Sequence, residues 1–179
     1  MRAIWTAGII WLGMMAGAHA QAVQPGLYDG RSIEGWTYSA ERSSVAGLPT
    51  WVLTQASGDR VPVNCNIGTS PMSGSLSQWQ EYFATVTPQS FMQELRSAGT
   101  DATAGYLTEV VTLNDRLALR NLLAANASGQ KLEFMIVTIS GADTLTTLTC
   151  TAFEGQLLPL MTEFYRFADQ MRLDSAPAR

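Results

Sequence analysis

Histidine is almost absent from this chain of 179 residues, and His19 is the only one. It lies in an N-terminal segment, residues 1–20, that has a basic residue near its start and an apolar run behind it. The segment ends in Ala18-His19-Ala20, the small-x-small pattern after which signal peptidases cut. We therefore expect residues 1–20 to be a cleaved signal peptide. A retained membrane anchor is the alternative, although the run is shorter than the ~20 apolar residues that span a bilayer.

Removal of this segment would leave the mature chain without a histidine, and so without an imidazole side chain for catalysis or metal binding. A Ser-His-Asp triad, a Cys-His dyad and a histidine-ligated zinc site are then excluded. The sequence also has no phosphate-binding loop motif, because the glycine- and serine-rich stretch 68–74 lacks the lysine and the strand-to-helix spacing of that motif. We predict no catalytic residue, no cofactor and no metal site.

Carboxylates alone can still catalyse hydrolysis, as pairs of them do in glycosidases. The candidates in this chain lie at predicted strand ends or turns, where acidic residues are usually just solvated: Glu109, Asp115, Glu133 and Asp143. A carboxylate-only hydrolase therefore remains an alternative to a protein that is not an enzyme.

Positive charge is also scarce, since Lys131 is the only lysine. Without Arg2, ten Lys and Arg stand against fifteen Asp and Glu, a net charge of −5. The arginines form no run or stripe, which excludes the electrostatic footprint of a nucleic-acid-binding protein. No segment after residue 20 is apolar and long enough to cross a membrane. Another protein or a small ligand is the expected partner.

Cysteine occurs only twice, at Cys65 and Cys150. In an oxidising compartment an even number of cysteines predicts a disulfide. A closed loop of this size would stabilise the fold by roughly 4.5 kcal/mol in the chain-entropy model. Two buried free thiols are the alternative, because cysteine is a common core residue.

The rest of the chain reads as one α+β domain, residues 36–173, between an extended leader, 21–35, and a disordered tail, 174–179. A helix is predicted from Ser77, with Gln80 completing a capping box, and a second one from Thr87 to Gly99. A third, amphipathic helix is predicted over 156–173. Aromatic and β-branched residues predict strands at 36–41, 50–55, 61–67, 106–113, 116–125, 131–140 and 144–153, with a turn at 43–49.

Alternation assigns the faces of two of these strands. Val63, Cys65 and Ile67 share one side of their strand, and Leu148, Cys150 and Ala152 share one side of theirs. Both cysteines are thus expected to face the core. Residues 116–125 have strong helix propensity, but we predict a strand because the segment leads into a turn and then into the strand at 131–140.

The order of these elements resembles the PsbP-like family. The resemblance lies in Arg116-Leu117-Ala118-Leu119-Arg120, Gly129, Phe134 to Ile139, and Leu148-Thr149-Cys150-Thr151-Ala152 to Phe164, about a third of the chain. It implies a largely antiparallel sheet flanked by helices, an α/β/α sandwich. It also implies a binding or accessory role rather than a reaction.

Four aromatic residues form a possible binding surface, since aromatics are favoured at interfaces: Trp36, Tyr38, Trp51 and Tyr106. Core packing is the alternative for each of them. We expect an exported, non-catalytic binding or accessory protein of the bacterial periplasm, or a secreted one. A periplasmic immunity protein against a delivered effector is an alternative of the same kind.

Overall fold

The computed structural model describes residues 33–54, 63–113, 115–127, 129–141 and 143–170. The predicted signal peptide, most of the leader and the C-terminal tail lie outside these ranges. The described residues form seven strands and four helices. In chain order they are β1 (Trp36–Tyr38), α1 (Ala40–Ala46), β2 (Thr50–Leu53), β3 (Asn64–Pro71), α2 (Leu76–Thr85), α3 (Pro88–Ser97), β4 (Asp101–Leu113), β5 (Arg116–Ala127), β6 (Gln130–Ser140), β7 (Thr144–Phe153) and α4 (Leu157–Gln170).

All seven strands form one antiparallel sheet in the order β1-β2-β3-β7-β6-β5-β4. The strands from β4 to β7 form a meander in which each strand pairs with the next, as expected for short hairpin connections. One edge of the sheet is the three-residue strand β1, and the other is the thirteen-residue strand β4. This architecture confirms the predicted α+β class.

The helices cover both faces of the sheet. On one face α4 packs over a large core to which the alternating residues of β3 and β7 contribute, among them Ile67, Leu148 and Cys150. On the other face α2 and α3 pack mainly over β4, β5 and β6. The result is three layers, because the two apolar faces of a central sheet each need a cover.

Strand β5 is the segment in which local propensity and fold disagree. Its residues are buried on both faces of the sheet, with Ala118 and Leu122 beneath α4 and Leu119 and Leu123 beneath α2 and α3. Strands buried on both sides read as continuous apolar runs rather than as alternating ones. The predicted strand at 116–125 is confirmed, and tertiary packing outweighs helix propensity here.

Local predictions are wrong at four places. The strand predicted over 36–41 ends at Tyr38, where α1 soon follows, and the strand predicted from residue 106 begins at Asp101. The segment predicted as a turn at 43–49 belongs in part to helix α1, which Ser39 caps by accepting the backbone N–H of Arg42. None of the residues of α1 is buried, so the helix has no apolar stripe to reveal it. The capping box of α2 is formed by Ser75 and Gln78, two residues before the predicted pair Ser77 and Gln80.

The other helices begin and end close to their predicted bounds. Thr87 caps α3 in a box with Ser90, and Pro88 occupies the first helical turn, where its missing N–H costs nothing. Within the described residues, no helix is both long and apolar enough to span a membrane.

Candidate functional site

The two cysteines form a disulfide at the centre of the sheet. Cys65 on β3 lies directly opposite Cys150 on β7, with 4.0 Å between their Cα atoms, and both side chains are fully buried. The neighbouring positions in the sheet are Trp51 on β2 and Met135 on β6. The predicted disulfide is confirmed, and free thiols are not present among the described residues.

Two of the four predicted binding residues belong to the core. Trp36 and Trp51 are only 5% and 2% exposed, and both rings contact the ring of Phe167 on α4, at centroid distances of 4.8 and 5.6 Å. Edge-to-face contacts of this kind favour a buried aromatic cluster. The positions of Trp36 and Trp51 therefore agree with the alternative of core packing. The two side chains attach β1 and β2 to the helix.

The other two residues are exposed but far apart in the sheet. Tyr38 is 43% exposed on β1, and Tyr106 is 51% exposed on β4, so the two side chains lie on strands at opposite edges. The four residues do not form one continuous surface. A binding role for Tyr38 or Tyr106 stays a prediction.

Tyr106 is held in place by a buried carboxylate. Its hydroxyl donates to Glu133 Oε1 at 3.2 Å, and Glu133 Oε2 accepts the backbone N–H of Leu157 at 2.8 Å. Burial raises the pKa of Tyr106, and the hydrogen bond and charge of Glu133 add to this. Glu133 thus connects β4, β6 and the first turn of α4. A carboxylate in that position also interacts favourably with the positive end of the helix dipole.

A second charged group connects β4, β5 and α4. Arg120 on β5 donates to Glu109 Oε1 on β4 through Nη2 at 2.7 Å and through Nε at 2.8 Å. Its guanidinium carbon lies 4.1 Å from the ring centroid of Tyr165 on α4. The guanidinium is therefore fixed by an ion pair and a cation–π contact at once. We call Tyr106, Glu109, Arg120, Glu133 and Tyr165 the β4-side cluster.

The predicted carboxylate candidates are distributed between this cluster and two turns. Glu109 is paired with Arg120, and Glu133 accepts a backbone N–H, as a structural residue does. In the register, Glu109 lies opposite Arg120 and Glu133 opposite Ala124, so four residues, roughly 13 Å, separate the two positions along β5. Glycosidases hold their carboxyl groups about 5 to 10 Å apart. Asp115 and Asp143 lie in the β4–β5 and β6–β7 turns.

Sequence reasoning missed a part-buried polar pair between α2 and α3. The Tyr82 hydroxyl donates to Glu94 Oε2 at 2.9 Å. Burial raises the pKa of Tyr82, and the charge and hydrogen bond of Glu94 raise it further. Burial also raises the pKa of Glu94, and the hydrogen bond from Tyr82 offsets part of that rise. Among the described residues no group of three metal-ligating side chains lies close enough to hold an ion.

Comparison with known proteins identifies the fold. No family model matches the chain, and no curated protein matches it in sequence. Solved structures do match. LpqN of Mycobacterium tuberculosis, described as involved in cell envelope biogenesis, is 16% identical with a TM-score of 0.52, over 78% of this chain and 78% of its own. PA94 of Pseudomonas aeruginosa, a protein of unknown function and putative regulator, is 15% identical with a TM-score of 0.53, over 69% of this chain and 79% of its own.

Cyanobacterial PsbP (CyanoP) from Synechocystis is a third match. It is 11% identical, with a TM-score of 0.51, over 78% of this chain and 82% of its own. The predicted PsbP-like fold is thereby confirmed. At these identities the comparisons establish the architecture, and the function has to be argued from the residues of this chain.

Proposed function

We propose that this chain is an exported accessory protein of the bacterial cell envelope that binds a partner protein or a small ligand without catalysis. The buried Cys65–Cys150 disulfide is the observation that carries the proposal. Disulfides persist in oxidising compartments and are rare in the cytosol. The signal-like pattern of residues 1–20 independently supports export.

The β4-side cluster supports a binding role for this part of the surface. Tyr106 is half exposed. Tyrosine and arginine are enriched among the residues that dominate binding energies. Glu133 and Glu109 hold Tyr106 and Arg120 in defined orientations, which lowers the entropy lost on binding.

Site-specific photocrosslinking in cells tests this proposal. A benzoylphenylalanine at position 106 is expected to crosslink to one partner and give a single adduct. The mass of the intact adduct should differ from twice the mass of the chain, which is the mass that two crosslinked copies would have. The matched control is position 38, also an exposed tyrosine on an edge strand. Equal adducts at both positions, or none at position 106, would contradict a partner at this cluster.

The identity of the captured molecule separates the accessory role from the immunity role. A resident envelope protein or a small ligand supports an accessory function. An effector delivered by a competing cell would instead assign the chain as an immunity protein. With either captured molecule, the β4-side cluster would be the binding surface.

A further inference from the structure

Strand β4 leaves a long edge of the sheet unpaired in the described structure. It has thirteen residues, about 44 Å of extended chain, and β5 is the only strand that pairs with it. Long exposed edges are ready templates for pairing with another strand, and proteins usually protect them with lysine, proline or very short strands. The opposite edge is the three-residue strand β1, whereas β4 contains neither lysine nor proline.

Only part of β4 is regular enough to accept another strand. Register shifts occur between Ala102 and Ala104 and again between Gly105 and Leu107. Such irregularities twist an edge and disrupt pairing. From Leu107 to Leu113 the pairing with β5 is uninterrupted. The usable edge is therefore this seven-residue stretch.

The sequence of this stretch is nearly the same in both directions. It reads Leu-Thr-Glu-Val-Val-Thr-Leu, with Val110 at its centre. Antiparallel pairing of two copies about Val110 places Val110 opposite Val110, Thr108 opposite Thr112, and Leu107 opposite Leu113. Threonine pairs and β-branched pairs are favourable across antiparallel strands. A two-fold interface requires this kind of self-complementarity.

Charge and exposure agree with this pairing. Glu109 is the only charged residue of the stretch, it is already paired with Arg120, and it would lie opposite Val111 of the second copy rather than opposite another carboxylate. Val110 and Leu107 are 43% and 37% exposed, which is apolar surface that the pairing would bury. The two Glu109 side chains lie diagonally across the axis on one face, and each is neutralised by its own Arg120.

Helix α3 does not obstruct the edge. It packs on the N-terminal part of β4, where Arg96 Nε donates to the carbonyl oxygen of Ala102 and Met92 lies against Gly105. When two copies pair about Val110, Leu107 lies opposite Leu113, the last residue of β4 in the other copy. Residues 101–106 of each copy therefore extend past the paired stretch. The helix therefore lies outside the paired stretch.

We propose that Leu107–Leu113 pairs with the same stretch of a second copy, antiparallel about Val110, and joins two seven-stranded sheets into one. This proposal does not depend on the accessory role. It makes the chain a symmetric dimer whose two β4-side clusters lie on the same face of the joined sheet.

Cysteine crosslinking of the full purified chain tests the register directly. In antiparallel pairs the Cα atoms of opposite residues lie about 4.5 or 5.5 Å apart, within the range that a disulfide bridges. Val110→Cys is therefore expected to give a covalent dimer on mild oxidation. Thr112→Cys is the matched control, on the same face of β4 and exposed. Its two copies would be about 13 Å apart, so it is expected to stay monomeric on a non-reducing gel.

A charge at the axis provides the second test. Val110→Lys places two like charges opposite each other and is expected to raise the dimer dissociation constant about tenfold or more in sedimentation analysis. Val45→Lys is the control, because Val45 is 85% exposed on α1, away from this edge. A wild-type chain that sediments as a monomer at ~100 μM would overturn the proposal. Equal crosslinking at positions 110 and 112 would do so as well.

Discussion

The carboxylate of Glu133 accepts the backbone N–H of Leu157, the first residue of α4, at 2.8 Å. The contact joins a strand inside the sheet to the helix that covers it. Glu133 is only 7% exposed, so its charge is compensated by this N–H, by the Tyr106 hydroxyl and by the helix dipole. A polar contact of this kind positions α4 on the sheet.

Glu133→Ala is expected to lower the free energy of unfolding by about 1–3 kcal/mol, because it leaves a buried N–H and a tyrosine hydroxyl without their acceptor. Glu133→Gln should lose less, since its amide oxygen still accepts from Leu157. Urea unfolding monitored by circular dichroism measures both. Glu154→Ala is the control, since that side chain is 62% exposed. Equal losses for Glu133→Ala and Glu154→Ala would contradict the helix-anchoring role.

The Tyr82–Glu94 pair predicts a pH-dependent effect on stability. The pKa of Glu94 is raised above its usual 4.5 in the folded state, so folding favours the protonated carboxyl. The stability this provides is complete below pH 4.5 and is lost as pH rises through the raised pKa. Glu94→Gln keeps an oxygen acceptor for Tyr82 and cannot ionise. It should gain stability relative to wild type between pH 4 and pH 7.

Urea unfolding of both proteins at several pH values tests this. Glu163→Gln is the control, because Glu163 is a carboxylate of similar exposure that pairs with Arg166 on its own helix. If the difference between Glu94→Gln and wild type stayed constant from pH 4 to pH 7, the raised pKa of Glu94 would be contradicted.

Close packing at Gly105 predicts an energetic coupling to Met92. A Cβ atom at position 105 would lie 2.8 Å from Met92 Cγ and 3.4 Å from the carbonyl oxygen of Pro88. Gly105→Ala is therefore expected to destabilise the fold by about 1–3 kcal/mol through overpacking. In a Met92→Ala background the same substitution should cost clearly less. A double-mutant cycle measures the coupling, and strictly additive effects would refute the contact.

Removal of the disulfide is expected to lower the stability of the fold strongly. Replacing Cys65 and Cys150 by alanine together should lower the free energy of unfolding by roughly 4.5 kcal/mol, because the crosslink closes a long loop in the unfolded chain. Loss of buried sulfur atoms adds to the cost. Wild type in reducing buffer should approach the double variant. A loss below ~1 kcal/mol in both would show that the bridge is not a major stabilising element.

Patterns that depend on burial were read correctly from the sequence. In β7 the alternation of Leu148, Cys150 and Ala152 with threonines predicted which side faces the core, because one buried face imposes a period of two. Helix α1 was missed because it buries none of its residues and so carries no such period. The capping error at α2 arises because Ser75 and Ser77 each precede a glutamine by three residues, so the local pattern fits both, and the helix uses the first.

The candidate site was less accessible to sequence reasoning. The pairing of Glu109 with Arg120 depends on the register of β4 against β5, which two irregularities in β4 shift. The capping of α4 by Glu133 joins residues 24 positions apart. Neither relationship has a local pattern. Composition alone could not decide whether Trp36 and Trp51 lie in the core or at the surface. Their ring contacts with Phe167 place them in the core.

Thiol trapping in intact cells tests the export claim most directly. Cells are quenched with acid, and the chain is denatured in the presence of an alkylating reagent that adds mass to each free thiol, because both sulfur atoms are buried in the folded protein. The mass of the chain is then measured with and without prior reduction. Our account predicts no added mass before reduction, two additions after it, and a chain shortened by residues 1–20. Two additions without reduction, on a chain that retains residues 1–20, would contradict it.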